Sequence, residues 1–269
     1  MDDSPLSLEP KDLTGLMAAG RSPVILDVRK LEAYEASDVV IATAVWRDPI
    51  SAHEWSDTLN DSRGVVVYCI HGHQISQSVA ALLRANGLPA RYLTRGIEGF
   101  VEAGGPTVAR KSLPERDPDG RTRWVARARP KIDRIACPWF VRRFLDPDAA
   151  FLYVEAEHVH AVADVTGAIP FDVDDAELTH KGDRCSFDAF LERFSISNPA
   201  IDALAEIVRG ADTGRPELTP ESAGLVAVSR GLAALYADDI DMLDAGMAVY
   251  DALYAECRQR AGVEIGAGG

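Results

Sequence analysis

Cys69 is the residue of this sequence best placed for covalent chemistry. It follows the run VVVY at positions 65–68 and precedes IHGHQ and the helix-like sequence ISQSVAALLRANG. This order predicts a turn from a buried strand into a helix, where backbone N–H groups and the positive end of the helix stabilise an anion on the sulfur. The resulting thiolate can take sulfur from a donor and hold it as a persulfide. The competing interpretation is a small buried apolar residue at a strand end, which is common for free cysteine.

The residues after Cys69 suit a loop that binds an anionic group. Gly72 permits tight curvature, and His71 and His73 offer hydrogen-bond donors or partial positive charge to an oxyanion. Phosphatases and arsenate reductases of related folds instead use a cysteine followed by five residues and an arginine, which clamps the oxyanion with two hydrogen bonds. The corresponding position is Ile75, so the sequence argues against that chemistry.

The first hundred residues alternate short β-rich runs with helix-like stretches, as buried parallel strands joined by helices do. The runs lie at 24–28, 43–46, 65–68 and 91–93, and the helix-like stretches at 10–17, 31–36, 76–86 and 99–103. The segment 106–123, PTVARKSLPERDPDGRTR, is rich in proline, glycine and charge and predicts a linker.

After this segment the pattern predicts a mostly helical domain with one or two short strands, at 151–154 and 169–171. Ser186 is placed to cap a helix over 187–194, and Asn198-Pro199 and Thr219-Pro220 open two more. A last helix runs from about 240 to 260, with an apolar face predicted from three- and four-residue spacing of Met242, Ala245, Val249, Leu253 and Cys257.

Four segments together resemble the rhodanese (sulfurtransferase) family: VILDVR at 24–29, EAYEASDVVIATAVW at 32–46, VVVYCIHGHQISQSVAALLRANGL at 65–88 and YLTRGIEGFVEAG at 92–104. The resemblance implies an α/β fold with a five-stranded parallel sheet flanked by helices, and a persulfide on Cys69. It implies that Asp27 and Arg29 brace the loop, and that donor and acceptor bind to Ile70, His71, Gly72, His73, Gln74 and Ile75. Many single-domain rhodaneses carry an arginine in this loop, and its replacement by histidines and glutamine weakens the case for thiosulfate as donor.

From Trp124 the chain resembles the C-terminal domain of ChrB-type chromate-resistance proteins, in WVARARPKIDRIACPWFVRRFLDPDAAFLYV, GAIPFDV, ELTHKGDRCSFDAF, IVRGADTGRPEL and GMAVYDALYAECR. This resemblance implies a context of chromate resistance and regulation and no defined reaction. We therefore predict a rhodanese domain over 1–105, a linker over 106–123, a ChrB-type domain over 124–262 and a flexible tail over 263–269.

The predicted second domain contains two groups of candidate ligand-binding residues. Arginines and a thiol lie close together in DRIACPWFVRR and suit an oxyanion such as chromate or sulfate: Arg134, Cys137, Arg142 and Arg143. The alternative is that these arginines solvate a helix face or pair with acidic residues. His180, Asp183 and Cys185, joined by Cys137 or Glu177, offer ligands to a metal ion, although no CxxC or HxxxH motif accompanies them. The predicted chemistry at Cys69 requires no cofactor.

The composition limits the partners. The 269 residues include 42 acidic and 28 basic side chains, for a formal charge of −14, which repels phosphate backbones and argues against nucleic acid. No secretory signal pattern opens the sequence, and its apolar runs are far shorter than the roughly 20 residues of a membrane span. Four widely spaced cysteines suit a reducing compartment. We expect a cytoplasmic protein with no membrane partner.

Two functional hypotheses follow. The first is a sulfurtransferase that takes sulfur from a small-molecule donor, thiosulfate or a persulfide, onto Cys69 and passes it to a thiol acceptor. The second is a non-catalytic sensor or regulatory protein that binds chromate or another oxyanion.

Overall fold

A computed structural model describes residues 6–59, 62–118 and 120–262. Contacts between residues divide the chain into two compact units, with the boundary between Lys111 and Ser112. The predicted flexible tail, 263–269, lies outside the described residues. Among the residues described, no helix is long and apolar enough to span a membrane.

The first unit is built on five parallel strands in the order β1-β6-β5-β2-β4. Their bounds are β1 Ser7–Leu8, β2 Val24–Asp27, β4 Val45–Trp46, β5 Val65–Tyr68 and β6 Ala90–Leu93. The predicted five-stranded parallel sheet is confirmed. The central strand β5 is buried at all four residues, as its β-branched and aromatic composition requires.

A separate antiparallel pair joins β3 (Val39–Ile41) to β7 (Thr107–Ala109). β7 lies inside the segment predicted as a linker, and Val108 is fully buried there. The first residues of that segment therefore belong to the first unit, because their backbone hydrogen bonds pair with β3.

Within the described part of the first unit, five helices connect the strands: α1 Pro10–Ala18, α2 Leu31–Glu35, α3 Ala52–Trp55, α4 Gln74–Ala85 and α5 Gly96–Glu102. α4 packs on β5 and β6, and its buried face carries Val79, Ala80 and Leu83. α4 and α5 begin two and three residues earlier than the sequence predicts. These earlier starts bring both helix N-termini close to Cys69.

The second unit contains a three-stranded parallel sheet in the order β10-β8-β9. The strands are β8 Arg123–Arg127, β9 Ala150–Val154 and β10 Ile169–Pro170. The central strand β8 is absent from the sequence prediction, because only its three inner residues are apolar and arginines flank them.

The rest of the second unit is mostly helical, as predicted. The helices are α6 Asp133–Phe140, α7 Val159–Thr166, α8 Ser186–Phe194, α9 Pro199–Asp212, α10 Pro220–Leu235 and α11 Asp239–Arg260. α6 continues as a π-helical turn over Val141–Leu145. Pro138 lies within α6 and has no N–H to donate to the carbonyl of Arg134; that carbonyl accepts a hydrogen bond from the Tyr153 hydroxyl at 2.9 Å.

Aromatic rings fill the core of this unit. Trp124, Trp139, Phe140, Phe187 and Phe190 are fully buried, and their ring centroids lie 5.5 to 6.4 Å apart in contacting pairs. Tilted and edge-to-face pairs of this kind add to the stabilisation from apolar burial. This core fixes the positions at which α6, α8 and α9 present their polar residues.

Candidate functional site

Cys69 directly follows β5, at the carboxyl edge of the parallel sheet, and α4 begins five residues later. In open α/β sheets ligands bind outside the carboxyl ends of the strands. The side chain is largely buried, with 6% exposed, and it borders a pocket of about 470 Å³. The predicted turn from strand to helix is present.

Hydrogen-bond donors surround the sulfur of Cys69. Ser76 Oγ lies 3.3 Å from Sγ, and the backbone N–H groups of His71, His73 and Ser76 are directed at it. Burial raises the pKa of the Cys69 thiol, but these hydrogen bonds outweigh burial, so that its pKa lies below the ordinary value. The arrangement favours the nucleophilic thiolate.

Two glycines let the Cys69 loop and the start of α5 approach closely. Gly72 has φ +72°, and a Cβ there would lie 2.4 Å from the carbonyl oxygen of Leu93. Gly96 has φ +56°, and its Cβ would lie 2.3 Å from the carbonyl oxygen of Cys69. Neither position accepts a larger residue without displacement of the backbone. The close approach lets the N–H of Ile97 donate to the Cys69 carbonyl at 3.0 Å.

A buried ion pair lies beside the loop. Arg29 makes several hydrogen bonds to the carboxylate of Asp27, the shortest at 2.6 Å from Nη2 to Oδ2. Tyr68, the residue before Cys69, donates its hydroxyl to the same carboxylate at 2.8 Å. Asp27 and Arg29 are 0% and 2% exposed, so the group links the end of β2 to the end of β5. This geometry suits the bracing role that the family resemblance implies.

The six predicted loop residues occupy different surroundings. His71 and His73 are exposed, with ring centroids 5.7 Å apart, and His71 Nδ1 lies 2.9 Å from Glu98. Gln74 is exposed, and Ile75 packs partly against the core. The loop residues Ile70, His71, His73, Gln74 and Ile75 border the pocket together with Arg29, Lys30 and Ala33. Gly72 is buried beneath the loop.

The second unit gives each candidate arginine an acidic partner. Arg142 pairs with Asp244 and Arg143 with Asp251, both at 2.7 Å. Arg134 lies 2.9 Å from Asp172 and donates to the carbonyl of Ala128. Pairing with acidic residues is the alternative stated above, although the partners are not the nearest acids in sequence. The structure does not direct the three arginines to one point.

The thiols of the second unit are enclosed. Cys137 and Cys185 are both 0% exposed. Burial, followed by the charge of Asp133, raises the pKa of each thiol well above its ordinary value. Cys257 is buried too, and burial raises its pKa. These three residues stay protonated at neutral pH.

The structure does not bring the three predicted metal ligands, His180, Asp183 and Cys185, to one site. Asp183 is 86% exposed and lies 3.4 Å from Arg215, and Cys185 caps α8, with Sγ 3.6 Å from Asp188. His180 instead faces carboxylates from distant parts of the chain. Its Nε2 lies 3.1 Å from Asp133, 3.1 Å from Asp212 and 3.3 Å from Asp172.

The sequence analysis did not identify Asp133, Asp172 and Asp212 as site residues. Asp133 begins α6, Asp172 follows β10 and Asp212 ends α9. No local spacing connects the three, because only packing of these elements brings them to His180. The group is therefore recognised only from contacts between residues that are distant in the sequence.

The charges of this cluster are interdependent. The hydrogen bond that the imidazole donates to Asp133 raises the pKa of His180 to about 9. Burial raises the pKa of Asp133, but His180, the charge of Arg134 and a hydrogen bond with Asp212 together lower it more, and the net shift is downward. Burial and the charge of Asp133 raise the pKa of Asp212 to about 8, and the same two causes raise that of Asp172. Such perturbation in a recess is typical of functional sites.

Comparison with known proteins agrees with this division of the chain. Residues 9–103 match the family of rhodanese-like domains. Residues 124–257 match the family of ChrB C-terminal domains. The chain is therefore a rhodanese-like domain fused to a ChrB C-terminal domain.

A curated relative, Protein ChrB from Cupriavidus metallidurans, is 34% identical over 168 residues. The match covers 61% of the present chain and 50% of the relative, so the chain spans about half the length of that protein.

Two solved structures are similar to little more than a third of the chain. A rhodanese-related protein from Thermoplasma volcanium is 26% identical, with 38% of this chain and 96% of that chain covered and a TM-score of 0.33. A Rhodopseudomonas palustris protein described as a possible tyrosine phosphatase is 25% identical, with 37% and 82% covered and a TM-score of 0.34.

Proposed function

We propose that the first domain is a sulfurtransferase that carries sulfur as a persulfide on Cys69. One observation carries the proposal: a sulfur whose thiolate is favoured by surrounding hydrogen-bond donors borders a pocket of about 470 Å³. A persulfide anion is also stabilised by directed N–H groups and a helix N-terminus, so the loop supports both states of the cycle.

The reaction proceeds in two displacements at sulfur. The Cys69 thiolate attacks the sulfane sulfur of the donor, a new S–S bond forms, and the donor's own bond to that sulfur breaks. The donor leaves with the electron pair, as sulfite from thiosulfate or as a thiolate from an organic persulfide. A thiolate acceptor then attacks the outer sulfur of the Cys69 persulfide, and Cys69 leaves as a thiolate.

The walls of the pocket favour an organic persulfide over thiosulfate. The apolar residues Ala33, Ile70 and Ile75 border it, together with the basic residue Lys30. Arg29 also borders it, but the guanidinium is held by Asp27. A compact dianion such as thiosulfate gains most from free arginines, whereas a small thiol derivative also gains from apolar contact.

The test is peptide mass spectrometry of the full chain after incubation with glutathione persulfide or with thiosulfate. We expect one added sulfur atom on Cys69 and its transfer to an added thiol, with glutathione persulfide the faster donor. Cys257→Ser is the matched control and should behave as the unsubstituted chain. The proposal is wrong if neither donor adds sulfur to Cys69, or if Cys69→Ser transfers sulfur equally well.

The alternative function, a non-catalytic sensor of chromate or another oxyanion, receives less support. It draws on the chromate-resistance context of the ChrB family, but the arginines proposed to hold the anion are paired with Asp244, Asp251 and Asp172. Saturable chromate binding without turnover would favour it, provided that the doubly substituted Arg142→Ala/Arg143→Ala chain loses that binding.

A further inference from the structure

The second domain contains a cluster of potential metal ligands that has no part in the proposed sulfur transfer. Asp133, His180 and Asp212 each offer one ligand atom, and these atoms all lie within 4.8 Å of one another. Three distinct parts of the fold supply them: the first residue of α6, the segment between β10 and α8, and the last residue of α9. We propose that these three residues bind one divalent ion of the first transition series.

The distances within the cluster fit a single ion. Nε2 of His180 lies 3.1 Å from Asp133 Oδ2 and 3.1 Å from Asp212 Oδ2. Ligand atoms about 2.0–2.2 Å from a metal in tetrahedral or octahedral geometry are separated by roughly 3.0–3.5 Å. Both distances from the imidazole to the carboxylates therefore already match the spacing that coordination requires.

The charge of the site also suits a cation. Asp133 and Asp212 are 2% and 13% exposed, and among the ion pairs of the described residues both meet only the imidazole of His180. Metal binding displaces protons from its ligands, and two deprotonated carboxylates facing one imidazole leave an excess of negative charge in a buried position. A divalent ion would neutralise it.

Asp172 completes the surroundings from a different position. Its carboxylate accepts a hydrogen bond from Ser186 at 2.9 Å and pairs with Arg134 and Arg127, at 2.9 and 3.2 Å. These partners hold Asp172 3.3 Å from His180 Nε2. Because Asp172 lies beside the same nitrogen that would bind the ion, its carboxylate would add negative charge next to the metal.

A pocket of about 250 Å³ gives the site access to solvent. His180 borders it with Asp172, Thr179 and Arg127, and the imidazole is 39% exposed. Three protein ligands and an open side are typical of metal sites that bind a further molecule. One imidazole with two carboxylates suits Zn²⁺, Fe²⁺ or Mn²⁺ better than the soft ions that thiolates select.

The test measures metal binding by the full chain. Titration with Mn²⁺, followed by electron paramagnetic resonance of the free ion, avoids competition from thiols, and Zn²⁺ calorimetry on the Cys69→Ser chain removes the reactive thiol. We expect about one ion per chain. Asp212→Asn should weaken binding at least about tenfold, since even outer partners of metal ligands contribute roughly 10–100-fold.

Asp183→Asn is the matched control, because Asp183 follows His180 closely in sequence but is exposed and faces Arg215. It should bind metal as the unsubstituted chain does. Circular dichroism of the metal-free variants verifies folding, and His180→Gln replaces Asp212→Asn if the latter unfolds. The proposal is overturned if neither Mn²⁺ nor Zn²⁺ binds saturably, which would leave a cluster held by shared protons. It is overturned too if Asp212→Asn and His180→Gln keep full affinity, or if Asp183→Asn loses it.

Discussion

Ser76 Oγ lies 3.3 Å from the sulfur of Cys69 and 3.1 Å from the carbonyl oxygen of His73. In the thiol form, the hydroxyl donates to His73 and accepts from the S–H group. In the thiolate form, the hydroxyl turns its proton to the sulfur. A single hydroxyl in the first turn of α4 thus serves both protonation states of the nucleophile.

Replacement of Ser76 by alanine should raise the pKa of Cys69, because it removes a hydroxyl hydrogen bond that stabilises the thiolate more than the thiol. A hydrogen bond to a charged group contributes about 1.5–3 kcal/mol, and one pKa unit corresponds to about 1.4 kcal/mol. We expect an increase of about one unit, measured as the pH dependence of iodoacetamide alkylation of Cys69. The exposed Ser78 provides the control Ser78→Ala, which should leave the midpoint unchanged. An unchanged midpoint in Ser76→Ala would contradict the assigned role.

The four free thiols should react in a fixed order. The pKa of Cys69 is lowered, and those of Cys137, Cys185 and Cys257 are raised by burial. In the native chain at neutral pH, iodoacetamide should alkylate Cys69 first. Its rate should rise with pH, and the midpoint of that rise should lie below the midpoint for free cysteine. Peptide mass spectrometry gives the order, and alkylation of Cys137 or Cys185 as fast as Cys69 would refute it.

Gly96→Ala should disrupt the Cys69 loop in two ways: alanine is strained in the left-handed conformation, and its Cβ also clashes with the loop backbone. The new Cβ would meet the carbonyl oxygens of Cys69 and Ile70 at 2.3 and 2.4 Å. Gly87 also has a positive φ, +86°, but nothing lies within 4 Å of a Cβ there. Gly87→Ala should therefore cost about 1–3 kcal/mol from conformational strain, and Gly96→Ala several kcal/mol.

Urea unfolding and the rate of Cys69 alkylation measure the two effects of Gly96→Ala, on stability and on the loop. Comparison with Gly87→Ala separates the steric clash from the preference for left-handed backbone. Equal losses of stability in the two variants would show that the loop and α5 do not require their close approach.

The sequence predicts those parts of the fold that depend on local pattern. The run at Val65–Tyr68 and the helix after Asn198-Pro199 follow from β-branched residues and from a cap with proline, and both are present. Ser186 was predicted as a cap and is not one: Cys185 occupies the cap, and the Ser186 hydroxyl donates to Asp172. A serine at a helix start has two uses, and tertiary packing decides between them.

Local sequence pattern does not predict elements whose stability comes from contacts with distant parts of the chain. β1 has two residues and is stabilised by pairing with β6, and β8 shows only three apolar residues between arginines. In α11 the predicted apolar face includes Met242 and Cys257, which are buried, but also Val249 and Leu253, which are not fully so. The face that packs inward carries Leu243, Gly246 and Tyr250. Three- and four-residue spacing allows both faces, and the neighbouring helices select one.

The same reasoning applies to the candidate site. Cys69 is predictable because strand, loop and helix are consecutive in the sequence. His180 was selected with Asp183 and Cys185 because they are neighbours in sequence, yet its contacts are Asp133, Asp172 and Asp212. Side chains three or five residues apart in a loop and at a helix cap point in different directions, whereas packing of α6 and α9 brings the aspartates together.

Asp27→Asn should be among the most destabilising single changes in the first domain. It leaves the guanidinium of Arg29 buried without a carboxylate, and the Tyr68 hydroxyl loses a charged acceptor. Breaking a buried ion pair on one side costs about 3–5 kcal/mol. Glu102→Gln is the control, because Glu102 pairs with Arg95 at the surface, where such pairs contribute less than about 1 kcal/mol. The loss should appear in urea unfolding, together with slower alkylation of Cys69 in the folded chain.

The double substitution Asp27→Asn/Arg29→Met separates the ion pair from the bracing of the loop. Removal of both charges avoids the unpaired buried cation, so the double variant should be more stable than Asp27→Asn alone. The Tyr68 contact is still weakened in it, so the alkylation rate of Cys69 should stay altered even as stability recovers. If the double variant recovers both its stability and the alkylation rate of Cys69, the Asp27 carboxylate serves only to neutralise Arg29. If it recovers neither property, the carboxylate acts mainly through Tyr68.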